Sequence, residues 1–195
     1  MKILLKNATV IDNNSPLHCK TLSLLIEDGI IKQIDEKINI KSDLIIERDN
    51  LHISRGWFDP SVSFGEPGYE ERETLDNGLK VAAKSGFTSI GLNSDLIPYS
   101  DNHSSVNHLI NKSKGYTTSL YPIGNLSESA KGKKLASLYD IKKAGAIYFG
   151  DYKKSTENGN LVKIALEYSQ TFDGIICSYP LDKNLSQNGI VNEGI

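Results

Sequence analysis

The sequence predicts an α/β protein in two parts, a small β domain over residues 1–54 and a parallel β/α domain over residues 55–195. In the first part, short apolar runs are separated by turn residues, which is typical of strands. From Ile53 onward, strand-like runs alternate with helical patterns and the connections are short and polar. That alternation favours a parallel sheet covered by helices.

The first part contains several short strand patterns. Asp28-Gly29 lies between two of them and predicts a hairpin turn, because glycine tolerates positive φ and aspartate is common in turns. The predicted strands cover residues 3–5, 8–11, 22–26, 30–34 and 44–47.

The second part reads as five strand-helix units, the fifth of them represented by its strand alone. Gly145 and Gly174 stand where a helix ends before the next strand. The predicted strands cover residues 57–62, 88–93, 119–124, 146–151 and 174–179. The predicted helices cover residues 71–85, 104–114, 134–144 and 158–172.

Residues 55–90 are the most informative stretch. Ser61 and Ser63 lie two apart after the first strand, so on an extended backbone both side chains would point the same way, as a pair of ligands does. Pro67-Gly68 ends the extended run, and Gly86 ends the helix that follows. In such β/α units, the loop after the strand is the usual place for chemistry.

Composition excludes several classes of protein. A net charge of −2 leaves no electrostatic footprint for nucleic acid or an anionic membrane, and neither partner is expected. No apolar run approaches the roughly 20 residues of a membrane span. Cys19 and Cys177 are far apart and lack CxxC spacing, which favours a reduced, cytoplasmic setting.

Common catalytic motifs are missing. The chain has no GxGxxG after a strand, no GxxxxGK[ST], no GxSxG and no Cys/His zinc spacing. The four histidines are scattered, with no HxH or HExxH pair, and are not expected to bind metal.

The segment after the first strand resembles the metal-binding opening of the dihydroorotases, in the cyclic amidohydrolase superfamily. That family reads Asp-Pro-His-Val-His-Phe-Arg-Glu-Pro-Gly here, followed by Glu-Thr and a Gly-Gly-Phe-Thr-Thr strand start. The matching residues are Asp59, Pro60, Val62, Phe64, Glu66, Pro67, Gly68, Glu73, Thr74, Gly86, Phe87 and Thr88.

The resemblance implies a fold. It predicts the N-terminal part of an amidohydrolase-type (β/α)₈ TIM barrel, preceded by a segment of a small β-sandwich. Five strands leave the barrel incomplete, because a closed one takes eight strands and about 250 residues. The chain is then a truncated piece, a gene fragment, or a protein whose open sheet edge a partner covers.

The resemblance also identifies positions where the chemistry differs. Ser61, Ser63 and Tyr179 stand at positions of zinc-ligand histidines, Gly65 at that of a substrate-binding arginine, and Asp95 at that of a substrate-binding asparagine. Asp151 lies at the end of the fourth strand and is the remaining candidate for a metal-site residue. The family's later ligands and its catalytic aspartate lie on strands beyond Ile195.

The family's zinc lowers the pKa of a bound water towards about 7 and polarises the amide. A serine hydroxyl is a poor zinc ligand, and a tyrosine, with a pKa of about 10, is normally protonated. No metal or other cofactor is therefore expected here. The carboxylate of Asp59 is expected to bond to loop amides, and that of Asp151 to be solvated or to cap a loop. Those of Glu66 and Glu70 are expected to favour the start of the following helix.

Three functions stay open on these grounds. The first is a dihydroorotase-like protein of pyrimidine biosynthesis that is metal-free and non-catalytic, with a structural or regulatory role beside an aspartate carbamoyltransferase-type partner or as a homo-oligomer. The second is an active cyclic amidohydrolase, hydrolysing a cyclic amide C–N bond with an altered metal site that uses Asp151 and residues beyond Ile195. The third is a module that binds a small ligand at the strand ends without chemistry.

Overall fold

The computed structural model describes residues 1–186 and residue 189. Residues 192–194, which also match the dihydroorotase pattern, lie outside the described residues. The chain divides into two compact units, Met1–Gly56 and Trp57–Ile195.

The first unit is a five-stranded sheet. Its strands are β1 (Lys2–Ile11), β2 (Thr21–Glu27), β3 (Ile30–Asp35), β4 (Leu44–Glu47) and β5 (His52–Ser54). Their order is β3-β2-β1-β4, and β5 also pairs with β1. The pairs β1–β2 and β2–β3 are antiparallel, whereas β4 and β5 run parallel to β1.

The predicted hairpin is confirmed. Asp28 and Gly29 both have positive φ, and strands β2 and β3 pair on either side of them. The prediction of separate strands over 3–5 and 8–11 is wrong, because they form the one strand β1. Its pairing shifts register between Leu5 and Ala8, where Asn7 has a φ of 53°.

The first unit shows one sheet, and the predicted sandwich stays a prediction. Leu4, Leu25 and Ile38 form its small apolar core.

The second unit begins with a three-stranded parallel sheet in the order β6-β7-β8. The strands are β6 (Trp57–Val62), β7 (Phe87–Leu92) and β8 (Ser119–Pro122). The helices are α1 (Leu75–Lys84), α2 (His103–Lys112), α3 (Leu138–Ala144), α4 (Gly159–Ser169) and α5 (Lys183–Ser186). Each strand is thus followed by a helix, as the alternating pattern predicts.

The fourth and fifth predicted strands, 146–151 and 174–179, are reduced to single parallel bridges. Phe149 bridges Gly124 on one side and Ile176 on the other. The main-chain hydrogen bonds nevertheless continue the parallel order, because Gly150 N–H donates to Gly124 O at 2.9 Å and Cys177 N–H donates to Phe149 O at 2.7 Å. This unit is an α/β fragment with the strand order of part of a barrel.

Two helices begin later than predicted. Thr74 caps α1, with Oγ1 accepting from Asn77 N–H at 3.2 Å, so residues 71–74 belong to the preceding loop. α3 begins at Leu138 and not at residue 134, because Ser127 and Leu135 pair as an antiparallel bridge before it. No helix within the described residues is long and apolar enough to span a membrane.

Two apolar clusters hold the second unit together. One packs α1 and α2 on β7 and β8, around Leu79, Ile90 and Leu109. The other packs α3 and α4 beneath the fourth and fifth strand positions, around Phe149. Trp57, the sole tryptophan, starts β6, where it is 60% exposed and meets the Phe87 ring edge-on at 5.7 Å.

We predict that Phe149→Ala lowers the free energy of unfolding by about 3–5 kcal/mol, because it removes a fully buried ring and leaves a cavity. Urea unfolding followed by circular dichroism measures this change. Ile175→Ala, at a 60% exposed position two strands from β8, is the matched control and should cost less than about 0.5 kcal/mol. Equal effects of the two substitutions would contradict this account of the core.

Candidate functional site

The candidate site lies where the parallel strands end. β6, β7 and β8 run in the same direction, so their carboxyl ends meet at one edge of the sheet. The segments after them carry most of the polar residues that the sequence singles out. In parallel β/α folds this edge is where ligands bind.

A cavity of about 190 Å³ opens at this edge. It is lined by Ser61 near the end of β6, Asn93 just after β7, Asp151 at the end of the fourth strand position and Tyr179 at the end of the fifth. The fold therefore brings three of the predicted positions, Ser61, Asp151 and Tyr179, to one cavity.

The polar groups in this cavity bond mostly to the protein itself. Asn93 Nδ2 donates to Ser61 Oγ at 3.1 Å, joining the ends of β6 and β7. The Tyr148 hydroxyl, which also lines the cavity, donates to Pro60 O. Burial is the main cause that raises the pKa of Tyr148, so this phenol stays protonated at neutral pH.

Ser63 is placed differently. Ser61 and Ser63 line different cavities, while their hydroxyls bond to Asn93 and Asp95, which are also two apart in the chain. That the two side chains point the same way stays a prediction. The pairing of β6 with β7 is irregular between Asp59 and Val62, and the strand ends at Val62, so the simple alternation of an extended strand does not reach Ser63. Ser63 Oγ donates to Asp95 Oδ2 at 2.5 Å.

Arg72 completes this second cluster. Its Nη2 donates to Ser63 Oγ at 2.6 Å and to Asp95 Oδ2 at 3.1 Å. Gly65 and Asp95, the two positions that match substrate-binding residues of the family, are thus both tied to Arg72. Asp95 pairs with it, and Gly65 begins the loop that carries it.

Asp151 is 5% exposed and accepts hydrogen bonds from one loop. Its Oδ1 accepts from Leu126 N–H at 3.1 Å, from Ser127 N–H at 3.3 Å and from Asn125 Nδ2 at 3.3 Å. Its Oδ2 accepts from the Ser127 hydroxyl. The carboxylate therefore organises a loop, which is the loop-capping alternative, and its burial excludes the solvated one.

The other acidic candidates also bond to main-chain amides. Asp59 Oδ1 accepts from Ser61 N–H at 3.0 Å. Glu66 Oε2 accepts from Leu75 N–H, the first residue of α1, at 2.6 Å, and its other oxygen pairs with Lys112. The Gly68 N–H bonded to Glu70 is the main cause that lowers the pKa of that carboxyl. Glu66 thus serves the start of α1, as predicted.

The donors at this edge do not fit the usual ligand set of zinc. Zinc in proteins takes thiolate, imidazole and carboxylate ligands, whereas the three matched positions offer two aliphatic hydroxyls and a phenol. Both oxygens of Asp151 already accept hydrogen bonds. Within residues 1–186 and 189, no group of three or more His, Cys, Asp or Glu side chains could hold a metal ion.

Sequence reasoning missed Arg72, Tyr148 and Ser127. Each is a polar residue whose partner lies far along the chain, 88 residues away for the bond between Tyr148 and Pro60. No local pattern marks such a contact. Only Arg72 could have been suspected from the sequence, because it is an arginine shortly after Gly65, the position where the family has one.

We predict that Asp151→Ala lowers the free energy of unfolding by about 2–3 kcal/mol, because the buried amides of Leu126 and Ser127 lose a charged acceptor. Addition of EDTA to the unchanged chain should leave the unfolding curve where it was. Asp140→Ala, at an exposed position on α3, is the control. A loss of stability with EDTA as large as that with Asp151→Ala would instead point to a bound metal.

The curated relatives of this chain are dihydroorotases. It is 35% identical over 196 residues to the dihydroorotase of Ruminiclostridium cellulolyticum, covering 100% of this chain and 45% of the relative. It is 38% identical over 197 residues to that of Syntrophus aciditrophicus, covering 100% of this chain and 46% of the relative. No protein-family model matches the chain. The chain spans somewhat less than half the length of these relatives.

Solved structures agree at the level of the fold. L-Hydantoinase (dihydropyrimidinase) from Arthrobacter aurescens superposes with a TM-score of 0.71 at 13% identity, over 89% of this chain and 39% of that one. A dihydroorotase structure superposes with a TM-score of 0.61 at 14% identity, over 90% and 50%. The chain is therefore similar in sequence to dihydroorotases along its full length, and it shares their fold over the part it spans.

Proposed function

We propose that this chain is a dihydroorotase-like protein of the pyrimidine-biosynthesis family that binds no catalytic metal and does not hydrolyse a cyclic amide. The observation that carries the proposal is the donor set at the strand ends. Ser61, Ser63 and Tyr179 present hydroxyl groups where the related enzymes, by the sequence pattern, present imidazoles. The loss of a single partner of a metal ligand already costs about 10- to 100-fold in metal affinity or activity.

The arrangement of the remaining polar groups supports the same proposal. Ser61 is bonded to Asn93, and Ser63 to Arg72 and Asp95. Asp151 is bonded to the loop that contains Leu126 and Ser127. An ion would have to compete with these internal hydrogen bonds for the same oxygen atoms.

A non-catalytic homologue has a role through binding. We propose a structural or regulatory role in the cytoplasm, beside an aspartate carbamoyltransferase-type subunit or in a homo-oligomer. Support comes from the exposed apolar groups along the sheet of the second unit, where Phe58 is 50% exposed and Ile175 is 60% exposed. These residues lie at the two ends of the strand order, and exposed apolar groups at a sheet edge are candidates for contact with a partner.

The second candidate is an active cyclic amidohydrolase with an altered metal site. Its support is the identity of 35–38% to proteins named dihydroorotase over the whole of this chain. Such an enzyme needs metal ligands other than the three substituted positions. Metal content separates the two proposals.

We predict that the chain, purified without chelator, contains no stoichiometric zinc, and that Ser61→His, Ser63→His and Tyr179→His together create a zinc site. Because imidazole is a far better zinc ligand than a hydroxyl, this three-histidine variant should bind zinc at least about 100-fold more tightly than the unchanged chain. Elemental analysis and competition with a chromophoric chelator measure both quantities.

The control places three histidines at exposed positions that are not expected to meet, with Thr117→His, Ser137→His and Asn160→His. It should bind zinc no better than the unchanged chain. One zinc per unchanged chain would refute the proposal and favour the second candidate, and a dihydroorotate hydrolysis assay would then test that candidate directly.

A further inference from the structure

The cluster of Arg72, Ser63 and Asp95 stands where a cation would otherwise be expected. Arg72 Nη2 lies 2.6 Å from Ser63 Oγ and 3.1 Å from Asp95 Oδ2, and the Ser63 hydroxyl donates to the same Asp95 oxygen. One guanidinium nitrogen thus contacts both a position of a family metal ligand and a carboxylate beside it.

The carboxylate of Asp95 depends on this arrangement. Its side chain is 21% exposed. Among the described residues, its other oxygen, Oδ1, is buried without a hydrogen-bond partner. Burying part of a carboxylate is costly unless a nearby positive charge or several donors compensate it. Arg72 and Ser63 supply the charge and both of the donors that reach Oδ2.

The loop before α1, residues 65–72, positions the side chain of Arg72. Tyr69 N–H donates to Gly65 O at 2.8 Å and Arg72 N–H donates to Tyr69 O at 3.0 Å, so two successive turns fold the chain back on itself. The guanidinium carbon lies 5.8 Å from the centre of the Tyr69 ring, a cation–π contact that favours this side-chain position.

Gly65 is what permits this loop. It is buried, its φ is +110°, and a Cβ atom there would lie 2.6 Å from Tyr69 O and 3.3 Å from Arg72 Cβ. Any other residue would both strain the backbone and push against the turn that carries Arg72. The glycine therefore permits a positive charge to approach from position 72.

We propose that Arg72 is a built-in cation that takes the place of a metal ion beside Ser63 and Asp95, and that Gly65 admits it. The inference rests on the proposed metal-free function and names a residue that enforces it. A fixed positive charge a few ångströms from an incoming divalent cation repels it, and the repulsion is strongest where the site is shielded from water. Restoring the ligands alone should therefore leave a weakened zinc site.

The first experiment adds Arg72→Met to the three-histidine variant. Zinc affinity should rise about tenfold or more, because one repelling charge is removed and the Asp95 carboxylate is freed. Lys80→Met in the same background is the matched control, since Lys80 is an exposed cation on α1 that pairs with Asp76 and not with this cluster. An affinity no higher with Arg72→Met than with Lys80→Met overturns the proposal.

A second experiment uses the chain without added histidines. Trypsin cleaves after arginine, so cleavage after Arg72, followed by mass spectrometry, reports whether its side chain is held. Asp95→Asn and Gly65→Ala should each speed this cleavage about tenfold relative to cleavage after Lys131, because a charge-assisted hydrogen bond is lost or its loop is displaced. General unfolding would speed both cleavages equally. Equal acceleration at the two sites overturns the proposal.

The outcomes separate this inference from the proposed function. Stoichiometric zinc in the unchanged chain refutes the metal-free function whatever Arg72 does. An unchanged zinc affinity after Arg72→Met refutes the role of Arg72 and leaves the metal-free function standing. If the three-histidine variant fails to fold, the tryptic measurement decides.

Discussion

The buried carboxylate of Asp151 bonds to main-chain amides and governs the arrangement of the strand ends. A charge removed from water is costly unless donors surround it. In the part of the chain that the structure describes, no ion pair reaches Asp151, and two amides, a side-chain amide and a hydroxyl supply the donors. The loop over residues 125–127 must therefore close over the end of the fourth strand position. Ser94, which donates to Gly150 O at 2.8 Å, ties the end of β7 to the same place.

The same principle holds for two other carboxylates near this edge, those of Glu66 and Asp95. Glu66 joins the first turn of α1 to Lys112 at the end of α2, and Asp95 joins the loop after β7 to Arg72. Each carboxylate has a cation or amide partner within the second unit. The framework residues that this chain shares with the dihydroorotase pattern, such as Glu66, are those with a role in holding helices and loops together. The positions that differ, Ser61, Ser63 and Tyr179, are those whose family role is to hold an ion. Under the proposed function, the fold therefore persists without its metal ligands.

Local patterns predicted much of this architecture, and distant contacts account for what they missed. Alternation of strand and helix located β6 at residues 57–62, and Asp28-Gly29 located the first hairpin. The fourth and fifth strands are shorter than their apolar runs suggested, because Phe149 alone bridges its neighbours there. The family pattern identified Ser61, Ser63, Asp95 and Asp151, but residue spacing does not reveal that the two serines line different cavities or that the strand pairing beside them is irregular. The role of Arg72 depends on how the loop after Gly65 folds, and only the three-dimensional structure shows that.

The position of Trp57 gives the protein an optical probe of its own. This lone indole begins the β6 strand, mostly in water and against the edge of the Phe87 ring. Its emission therefore depends on what lies beside that strand. A polypeptide that docked there would exclude water from the indole and shift its emission to shorter wavelength. An ion or small molecule held near Asp151 would leave the emission wavelength unchanged. Intrinsic tryptophan fluorescence can thus distinguish association with a polypeptide from ligand binding without an added label.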